Sequence, residues 1–448
     1  MGKPNEIAGK IRSILSQEGF KKYFKNTSWL FVEKIIVLGT FFVIGAFVAR
    51  YLGPDQLGVL SLSQSLVGFV YIFCQLGINS VLTRELVKYP EKTNELLGSS
   101  VFLMSLGMIF SWGLLAVILF FFEKAANSTN LVIVLAGGYI FQIFDIVRLK
   151  FEAKVESYRL VKLKLLQAVI VGAFKIGLIW IGAPLIWFAV AYVLEHFILA
   201  LWYILKYQQF MGKLKDWKID LGIAKGLLRD SWPFILSSLA IVVYMKSDQL
   251  MIKYFLDDKA NGFYATALKL SEMWYFFPAL IVDALYPAIL NAKKVDQDLY
   301  EERMGNLLTG MFLLGLSIAV FINLFGPWIL EFMYGSEFND SKPVLIIHIW
   351  SILFAYLGVA GSKWLLTEDL QKHTFYRTTL GAVINVGLNI LWIPRYGIIG
   401  AAWATLIAQV FAAYLGHLLA KPTRPLFFMI TRTIFFVHFF KTLKKFTK

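Results

Sequence analysis

Ionisable side chains occur within long segments of this sequence that are otherwise apolar enough to lie in lipid. Between Ser231 and Leu290, the charged positions inside apolar helices are Lys246, Asp248, Lys269, Glu272 and Asp283. A charge at membrane depth costs several kcal/mol on some scales, and such residues commonly face a cavity or a charged partner. They therefore mark where a functional site is to be sought.

These charges are predicted to lie at several depths. Lys269 and Glu272 are spaced i,i+3 and share one helical face, roughly 12 to 17 Å from the outer end of their helix. Lys246 and Asp248 are expected closer to the outside. Nearer the cytoplasm come Glu33, Lys34 and Asp283, and other helices add Lys175 and Glu195. The charges either line a pathway, or they pair internally or snorkel to an interface.

No motif of a catalytic or nucleotide-binding site accompanies these charges. The sequence has no Walker A, GxGxxG, GxSxG or HExxH pattern, and its five histidines are scattered singly. The single cysteine, Cys74, lies in an apolar run, so no disulfide framework or thiolate metal site can form. Asp257-Asp258 has the composition of a metal-binding pair, but we interpret it as a solvated turn between helices. We therefore expect no catalytic residue, no metal site, no cofactor and no enzyme activity.

The composition is that of a polytopic, all-α membrane protein. Hydrophobic residues make up 58% of the chain and charged residues 16%, and the mean hydropathy is +0.65. A soluble protein of 448 residues needs far more polar surface. Helices long enough to cross ~30 Å of hydrocarbon are predicted at 28–49, 57–81, 97–122, 130–147, 165–181, 184–205, 231–252, 261–287, 306–334, 343–366, 374–394 and 397–420. They make about twelve spans, six in each half.

The two halves are related in sequence. Placing Ser231-Trp232 on Ser28-Trp29 brings Lys253-Tyr254-Phe255 onto Arg50-Tyr51-Leu52, and one inserted residue then brings Gly262 onto Gly58. This repeat predicts two lobes. The expected organisation is a cytoplasmic interfacial segment (1–25), a first six-helix lobe (26–208), a cytoplasmic loop (209–229), a second six-helix lobe (230–420) and a basic amphipathic cytoplasmic tail (421–448).

The distribution of Lys and Arg predicts the orientation. Most of the 44 basic residues lie in loops and termini on one side. The opposite side has only Arg50, Lys124, Lys253, Lys259, Lys342 and Arg395. Both termini are therefore expected in the cytoplasm. Because topology explains the net charge of +15, no nucleic-acid partner is expected.

Four stretches resemble a known transporter family. ARYLGPDQLGVLSLSQSL (Ala49 to Leu66) resembles the first helical hairpin of the Wzx-type O-antigen and lipid-linked oligosaccharide flippases. VINVGLNILWIPRYGIIGAAWATLIAQ (Val383 to Gln409) resembles the closing signature of that family, and SDQLMIKYFL with GFYATALKL resembles the start of its second lobe. This polysaccharide transporter family shares a superfamily with the multidrug and toxin extrusion (MATE) transporters and the lipid II flippases.

The resemblance implies a MATE-like fold of two six-helix lobes with alternating access. It also implies transport of an undecaprenyl-diphosphate-linked oligosaccharide from the cytoplasmic to the periplasmic leaflet of the bacterial inner membrane, for O-antigen (lipopolysaccharide), capsule or exopolysaccharide synthesis. Lys34, Lys246 and Lys269 are then candidate contacts for the diphosphate or an acidic sugar, since an ammonium group can follow a moving phosphate. Glu33, Asp248 and Glu272 either neutralise these lysines or bind H⁺ or Na⁺ and couple transport to a gradient. Secondary cavity candidates are Lys175, Glu195, Asp283, Asn385 and Asn389.

Several alternatives stay open. Asn385 and Asn389 share a helical face and either bind sugar hydroxyls or hydrogen-bond between helices. A multidrug antiporter of the same fold would favour a cavity dominated by carboxylates, and lipid II flippases usually have two further helices. A membrane polysaccharide polymerase or ligase would need a large outer loop, which is absent from the sequence. The partners that the resemblance implies are the lipid-linked glycan, the bilayer, glycosyltransferases and a polymerase.

Overall fold

The chain is helical throughout the part described by the computed structural model, which comprises residues 18–121 and 128–437, and these residues include no β-strand. The helices in chain order are α1 (Glu18–Gln75), α2 (Ile78–Lys88), α3 (Thr93–Phe121), α4 (Thr129–Gly137), α5 (Tyr139–Gln142), α6 (Ile146–Ala153), α7 (Tyr158–Trp180), α8 (Ile186–Phe210), α9 (Leu221–Phe255), α10 (Asp258–Glu272), α11 (Phe276–Val295), α12 (Gln297–Tyr334), α13 (Ser341–His348), α14 (Ser351–Thr367), α15 (Gln371–Ala413) and α16 (Arg424–Ile434).

Ten segments within the described residues are long and apolar enough to cross a membrane. Two of them, Val32–Gln75 with 44 residues and Gln371–Leu418 with 48, would extend for about 66 and 72 Å as straight helices. That is about twice the thickness of the hydrocarbon layer. Each is broken in the middle and corresponds to two of the predicted spans, so the ten segments accommodate the twelve spans predicted from the sequence.

Glycine produces both breaks. Gly53 in α1 has φ 67° and Gly397 in α15 has φ 61°, a left-handed conformation that side chains with a Cβ rarely adopt. A proline lies nearby in each case, Pro54 after the first break and Pro394 before the second, and proline removes a helical N–H donor. Each long helix can therefore turn back across the membrane.

The described residues form two compact units. Unit 1 comprises the described residues up to Val48 together with Leu66–Leu236, and unit 2 comprises Ala49–Ser65 together with the described residues from Ser237 onward. The middle of α1 thus belongs to a different unit from the two ends of the same helix.

In unit 1, the chain before α9 lies against the start of α3. Gly98 makes this approach feasible, because a Cβ there would lie 2.3 Å from the carbonyl oxygen of Lys218. Ser99 Oγ donates to the carbonyl of Asp220 at 3.0 Å. On α2, ion pairs of Arg84 with Asp230 and Glu85 raise the pKa of the guanidinium. The buried Cys74 thiol faces the carbonyl of Met104 and has a packing position.

In unit 2, the two glycines that the sequence repeat aligns lie at one close helix contact. A Cβ on Gly58 would lie 1.7 Å from the carbonyl oxygen of Asp258, and a Cβ on Gly262 would lie 1.9 Å from that of Pro54. Asn261 Nδ2 donates to the carbonyl of Gly58 at 2.9 Å. Close backbone approach at small residues is a common packing mode in membranes. This contact joins residues 49–65 to α10.

The first part of the predicted tail forms α16, which docks on unit 2. Leu426 and Ile430 are buried on one face of this helix, and Leu426 reaches Gly361 of α14. Tyr414 stacks on Phe427 with ring centroids 4.8 Å apart. Residues 438–448 of the predicted tail, and residues 1–17 of the predicted interfacial segment, lie outside the described residues.

Candidate functional site

Three consecutive polar residues of α9, Ser247-Asp248-Gln249, are buried in unit 2. Asp248 is the most informative, because this acidic residue is only 2% exposed. Such a group is tolerated only when it is hydrogen-bonded or paired. Its partners therefore define the site.

Neutral donors from two other helices surround the Asp248 carboxylate. Asn389 Nδ2 of α15 donates to Oδ1 at 2.6 Å. The hydroxyls of Tyr264 on α10 and Thr405 on α15 both donate to Oδ2, each at 2.6 Å. No ion pair with Asp248 occurs among residues 18–121 and 128–437. A cation bound at this place would supply the missing charge.

A second layer of hydrogen bonds fixes these donors. Asn385 Nδ2 donates to Thr405 Oγ1 at 3.2 Å, and Asn389 Nδ2 also donates to Asn385 Oδ1 at 3.0 Å. Ser247 Oγ donates to the same Oδ1 at 3.0 Å. The buried Oδ1 of Asn389 has no donor. We refer to Ser247, Asp248, Tyr264, Asn385, Asn389 and Thr405 as the Asp248 cluster.

The chemistry of the Asp248 cluster suits a small cation. Its oxygens come from one carboxylate, two amides and several hydroxyls, all of them hard ligands. A single carboxylate carries one negative charge, which one positive charge balances. The cluster is therefore equipped for a monovalent cation or a proton.

Gln249 connects this region to the middle of α1. Ser61 Oγ donates to Gln249 Oε1 at 3.0 Å, and Ser65 Oγ donates to the same oxygen. All three residues are buried in unit 2. Residues 49–65 therefore contact two helices of unit 2. The serine hydroxyls reach α9, which carries Asp248, and the glycine contact reaches α10.

A cavity of about 310 Å³ adjoins the Asp248 cluster within unit 2. Its polar lining includes Asp248 and Thr405 from the cluster and continues to Glu272, Tyr275, His348 and Arg377. Glu272 interacts electrostatically with Lys246 and Asp248. The candidate residues Lys246, Asp248, Glu272, Asn385 and Asn389 thus belong to one region of unit 2.

Four of the remaining candidates, Glu33, Lys34, Lys175 and Glu195, belong to unit 1. In unit 1, Glu33 is buried and pairs with Lys164 at 3.3 Å, whereas Lys34 is exposed. Lys175 and Glu195 interact electrostatically with each other.

In unit 2, Lys269 is half-buried, and Asp283 is exposed and pairs with Lys363 at 2.8 Å. Glu33 and Asp283 thus each pair with a lysine that was not among the expected site residues.

Arg377 was not among the site residues expected from the sequence, where it counts with the basic residues of one side although it falls inside the predicted span 374–394. It lies inside α15 and lines the cavity. Its Nη2 donates to the carbonyl of Gly358 at 3.1 Å and to Ser362 Oγ at 2.5 Å, and its Nη1 donates to the carbonyl of Ala412 at 3.3 Å. Thr405 was also missed, since a lone threonine in a small-residue helix carries no signal of its own.

One protein family and several known relatives match this chain. The family described as polysaccharide biosynthesis protein matches residues 23–293. The probable low-salt glycan biosynthesis flippase Agl15 of Haloferax volcanii is 23% identical over 399 residues, which cover 85% of this chain and 79% of that protein.

Solved transporter structures share the fold. The lipid II flippase MurJ in an inward closed conformation has a TM-score of 0.66 at 16% identity. The match covers 94% of this chain and 93% of the MurJ chain. A multidrug resistance MATE family transporter in an inward-facing conformation has a TM-score of 0.65 at 16% identity, with coverages of 90% and 95%. The predicted MATE-like, all-α membrane fold is confirmed.

Proposed function

Because the chain belongs to the polysaccharide biosynthesis protein family, we propose that it is a flippase that moves a lipid-linked oligosaccharide between the two leaflets of a membrane. The family match over residues 23–293 carries this proposal, and a relative described as a glycan biosynthesis flippase supports it. In the finer form of the proposal, the substrate is an undecaprenyl-diphosphate-linked repeat unit of a surface polysaccharide. It moves from the cytoplasmic to the outer leaflet of the inner membrane by alternating access, and both termini are cytoplasmic.

Such a substrate has three chemically distinct parts, and the protein must treat each one differently. The diphosphate and the sugars need a polar environment, while the lipid tail can stay in the bilayer. Lysine is suited to the diphosphate because its ammonium group is a compact charge with three donors. We assign this role to Lys34, Lys246 and Lys269. Of these, Lys34 is exposed and the other two are half-buried.

We further propose that the Asp248 cluster binds the coupling ion. The carboxylate is buried among neutral donors, and Asn389 Oδ1 is left without a donor. A bound Na⁺ or H⁺ would supply the missing positive charge to the carboxylate and a partner to the Asn389 oxygen, since buried charges are normally paired. Asn385 and Asn389 then act as cluster members rather than sugar contacts. Glu272 remains a candidate for charge balance with Lys246.

The second candidate function is multidrug antiport, which the fold of the MATE transporter favours. The lysines at membrane depth argue against multidrug antiport, because ammonium groups repel organic cations whereas carboxylates attract them. A polymerase or ligase activity has no support among the relatives described above. The direct test therefore separates glycan movement from drug movement.

The test uses cells that lack this protein and measures the sidedness of lipid-linked oligosaccharide with a membrane-impermeant glycan-modifying reagent. We expect the oligosaccharide to accumulate on the cytoplasmic leaflet and to become accessible again when the intact gene is restored. Normal accessibility without the protein would overturn the proposal. Accessible units that stay unpolymerised would indicate the enzyme alternative, and unchanged glycan with lost drug efflux would indicate the antiporter.

A further inference from the structure

The cavity of unit 2 extends well beyond the Asp248 cluster. Arg377 lies six residues after the start of α15, about 9 Å along the helix, whereas Asn389 lies about 27 Å along it. Asp248 is seven residues, or about 10 Å, from the far end of α9. We call the side on which α14 ends and α15 begins the basic side, because the Lys-rich and Arg-rich loops are predicted there. The cavity therefore extends from near the basic side to the cluster.

Three charged groups line this cavity in order of depth. Glu272 ends α10, fourteen residues or about 21 Å from the start of that helix next to the α9–α10 turn. It thus lies between Asp248 and Arg377. Besides Arg377, the cavity lining contains one other basic side chain, His348 of α13. Its Nδ1 is hydrogen-bonded to Ser271 Oγ at 2.7 Å. Carboxylates at two levels are followed by one guanidinium.

The guanidinium of Arg377 is held by uncharged groups. Its partners are two backbone carbonyls and one hydroxyl, and its Nε has no partner. Gly358 leaves the necessary room, since a Cβ there would lie 3.2 Å from Nη1. Among residues 18–121 and 128–437, Arg377 forms no ion pair within 4 Å. Its full positive charge therefore acts on the cavity.

A fixed positive charge opposes the passage of another cation. Coulomb energies grow as the surroundings become less polar, and an Arg is one of the devices by which pores exclude protons and cations. The carboxylates of Asp248 and Glu272 act in the opposite sense and attract a cation to the inner part of the cavity. The arrangement thus combines attraction at two levels with a barrier near the basic side.

We propose that this cavity is the route by which a monovalent cation moves between the Asp248 cluster and the basic side, and that Arg377 is the electrostatic barrier that limits leak along it. The inference rests on the proposed role of the Asp248 cluster as the coupling-ion site. Glu272 is the intermediate station of the route. The glycan takes no part in this route.

The test measures cation leak in sealed proteoliposomes without glycan, as ²²Na⁺ uptake and, separately, as proton entry reported by a trapped dye. Arg377→Gln is expected to raise the leak of one of these cations at least about tenfold, because one full charge is removed from a weakly polar passage. Arg377→Lys should keep the wild-type leak. The matched control is Arg395→Gln, which removes an exposed arginine of the same helix and should change nothing.

Two further variants separate this inference from the proposed function. Adding Asp248→Asn to Arg377→Gln should suppress the leak, because every cation that uses the route must occupy the cluster at its end. Unchanged leak in a folded Arg377→Gln protein, with Asp248→Asn still abolishing the ion dependence of glycan transport, would refute the route alone. If Asp248→Asn leaves that ion dependence intact, the coupling site itself is wrong.

A labelling experiment covers the case in which Arg377→Gln fails to fold. Thr374 lines the cavity near its basic end, so Thr374→Cys in a Cys74→Ser background should react with a small cationic thiol reagent added on the basic side. Neither a high concentration of Na⁺ nor Asp248→Asn should block the reaction at Thr374→Cys, because this position lies near the basic end of the cavity, away from the cluster. Absence of reaction at Thr374→Cys, with reaction at an exposed control such as Lys372→Cys, would overturn the route.

Discussion

The contact between Gly58 and Gly262 leaves no space for even one methyl group, which makes Gly58→Ala a sharp perturbation. The added Cβ would lie 1.7 Å from the carbonyl oxygen of Asp258, whereas ordinary contacts begin at 3.4 Å. The oxygen belongs to the backbone, so no side-chain rotation relieves the overlap. The middle of α1 and the start of α10 must separate, and the hydrogen bond from Asn261 to Gly58 is lost.

The expected cost can be stated from these two effects. Overpacking costs about 1–3 kcal/mol, and loss of a buried hydrogen bond costs about 1 kcal/mol. The unfolding free energy should therefore fall by about 2–4 kcal/mol. Gly262→Ala should cost a similar amount, since its Cβ would lie 1.9 Å from the carbonyl oxygen of Pro54. The double variant should cost little more than either single one, because one separation of the helices relieves both overlaps.

The assay is thermal unfolding of the purified protein in detergent, followed by tryptophan fluorescence and by loss of the monodisperse chromatographic peak. Gly68→Ala is the matched control, because Gly68 is in the same helix and has no atom within 4 Å of its added Cβ. It should be neutral or slightly stabilising, since Ala favours helix by about 0.5–1 kcal/mol. Equal melting of Gly58→Ala and Gly68→Ala, or full additivity in the double variant, would refute the close contact.

Three further predictions concern the charges. Asp248→Asn removes the one carboxylate of the Asp248 cluster and should weaken cation binding at least about tenfold, measured as the loss of cation dependence in glycan transport at unchanged protein level. Lys269→Ala should abolish export while Lys269→Arg partly retains it, and equal tolerance of both in the leaflet assay would remove Lys269 from the substrate contacts. Glu33→Gln should lower the melting temperature because it leaves Lys164 without its partner at 3.3 Å. The double variant Glu33→Gln with Lys164→Met should recover much of that loss. No recovery would show that the Glu33–Lys164 ion pair does not account for the loss of stability.

The sequence was sufficient for the membrane class and the approximate spans, because these depend on local composition. It also identified Asp248 as a charge at membrane depth. It could not identify the partners of Asp248, since Thr405 lies 157 positions away and neither periodicity nor charge connects them. A contact of this kind exists only once α9 and α15 have packed.

Arg377 shows the converse limit. Counting charges in loops places it with the basic side, because it lies close to Lys372 and near the start of a span. The structure buries it among the carbonyls of Gly358 and Ala412. Loop counting weighs charge alone and contains no information on which side chains find backbone acceptors inside a helical unit. For the same reason, the sequence aligned Gly58 with Gly262 without predicting that they lie at one contact.

The assignment of residues 49–65 to unit 2 has a consequence for how the chain is made. The ribosome synthesises Gly58 early, but Asn261, which donates to its carbonyl, follows 203 positions later. All of Leu66–Leu236 of unit 1 is translated in between. During that interval the glycine face of α1 has no native neighbour in the membrane. Biogenesis of unit 2 therefore depends on a segment inserted long before, so a C-terminal half synthesised without residues 49–65 should be degraded unless the N-terminal half is supplied alongside it.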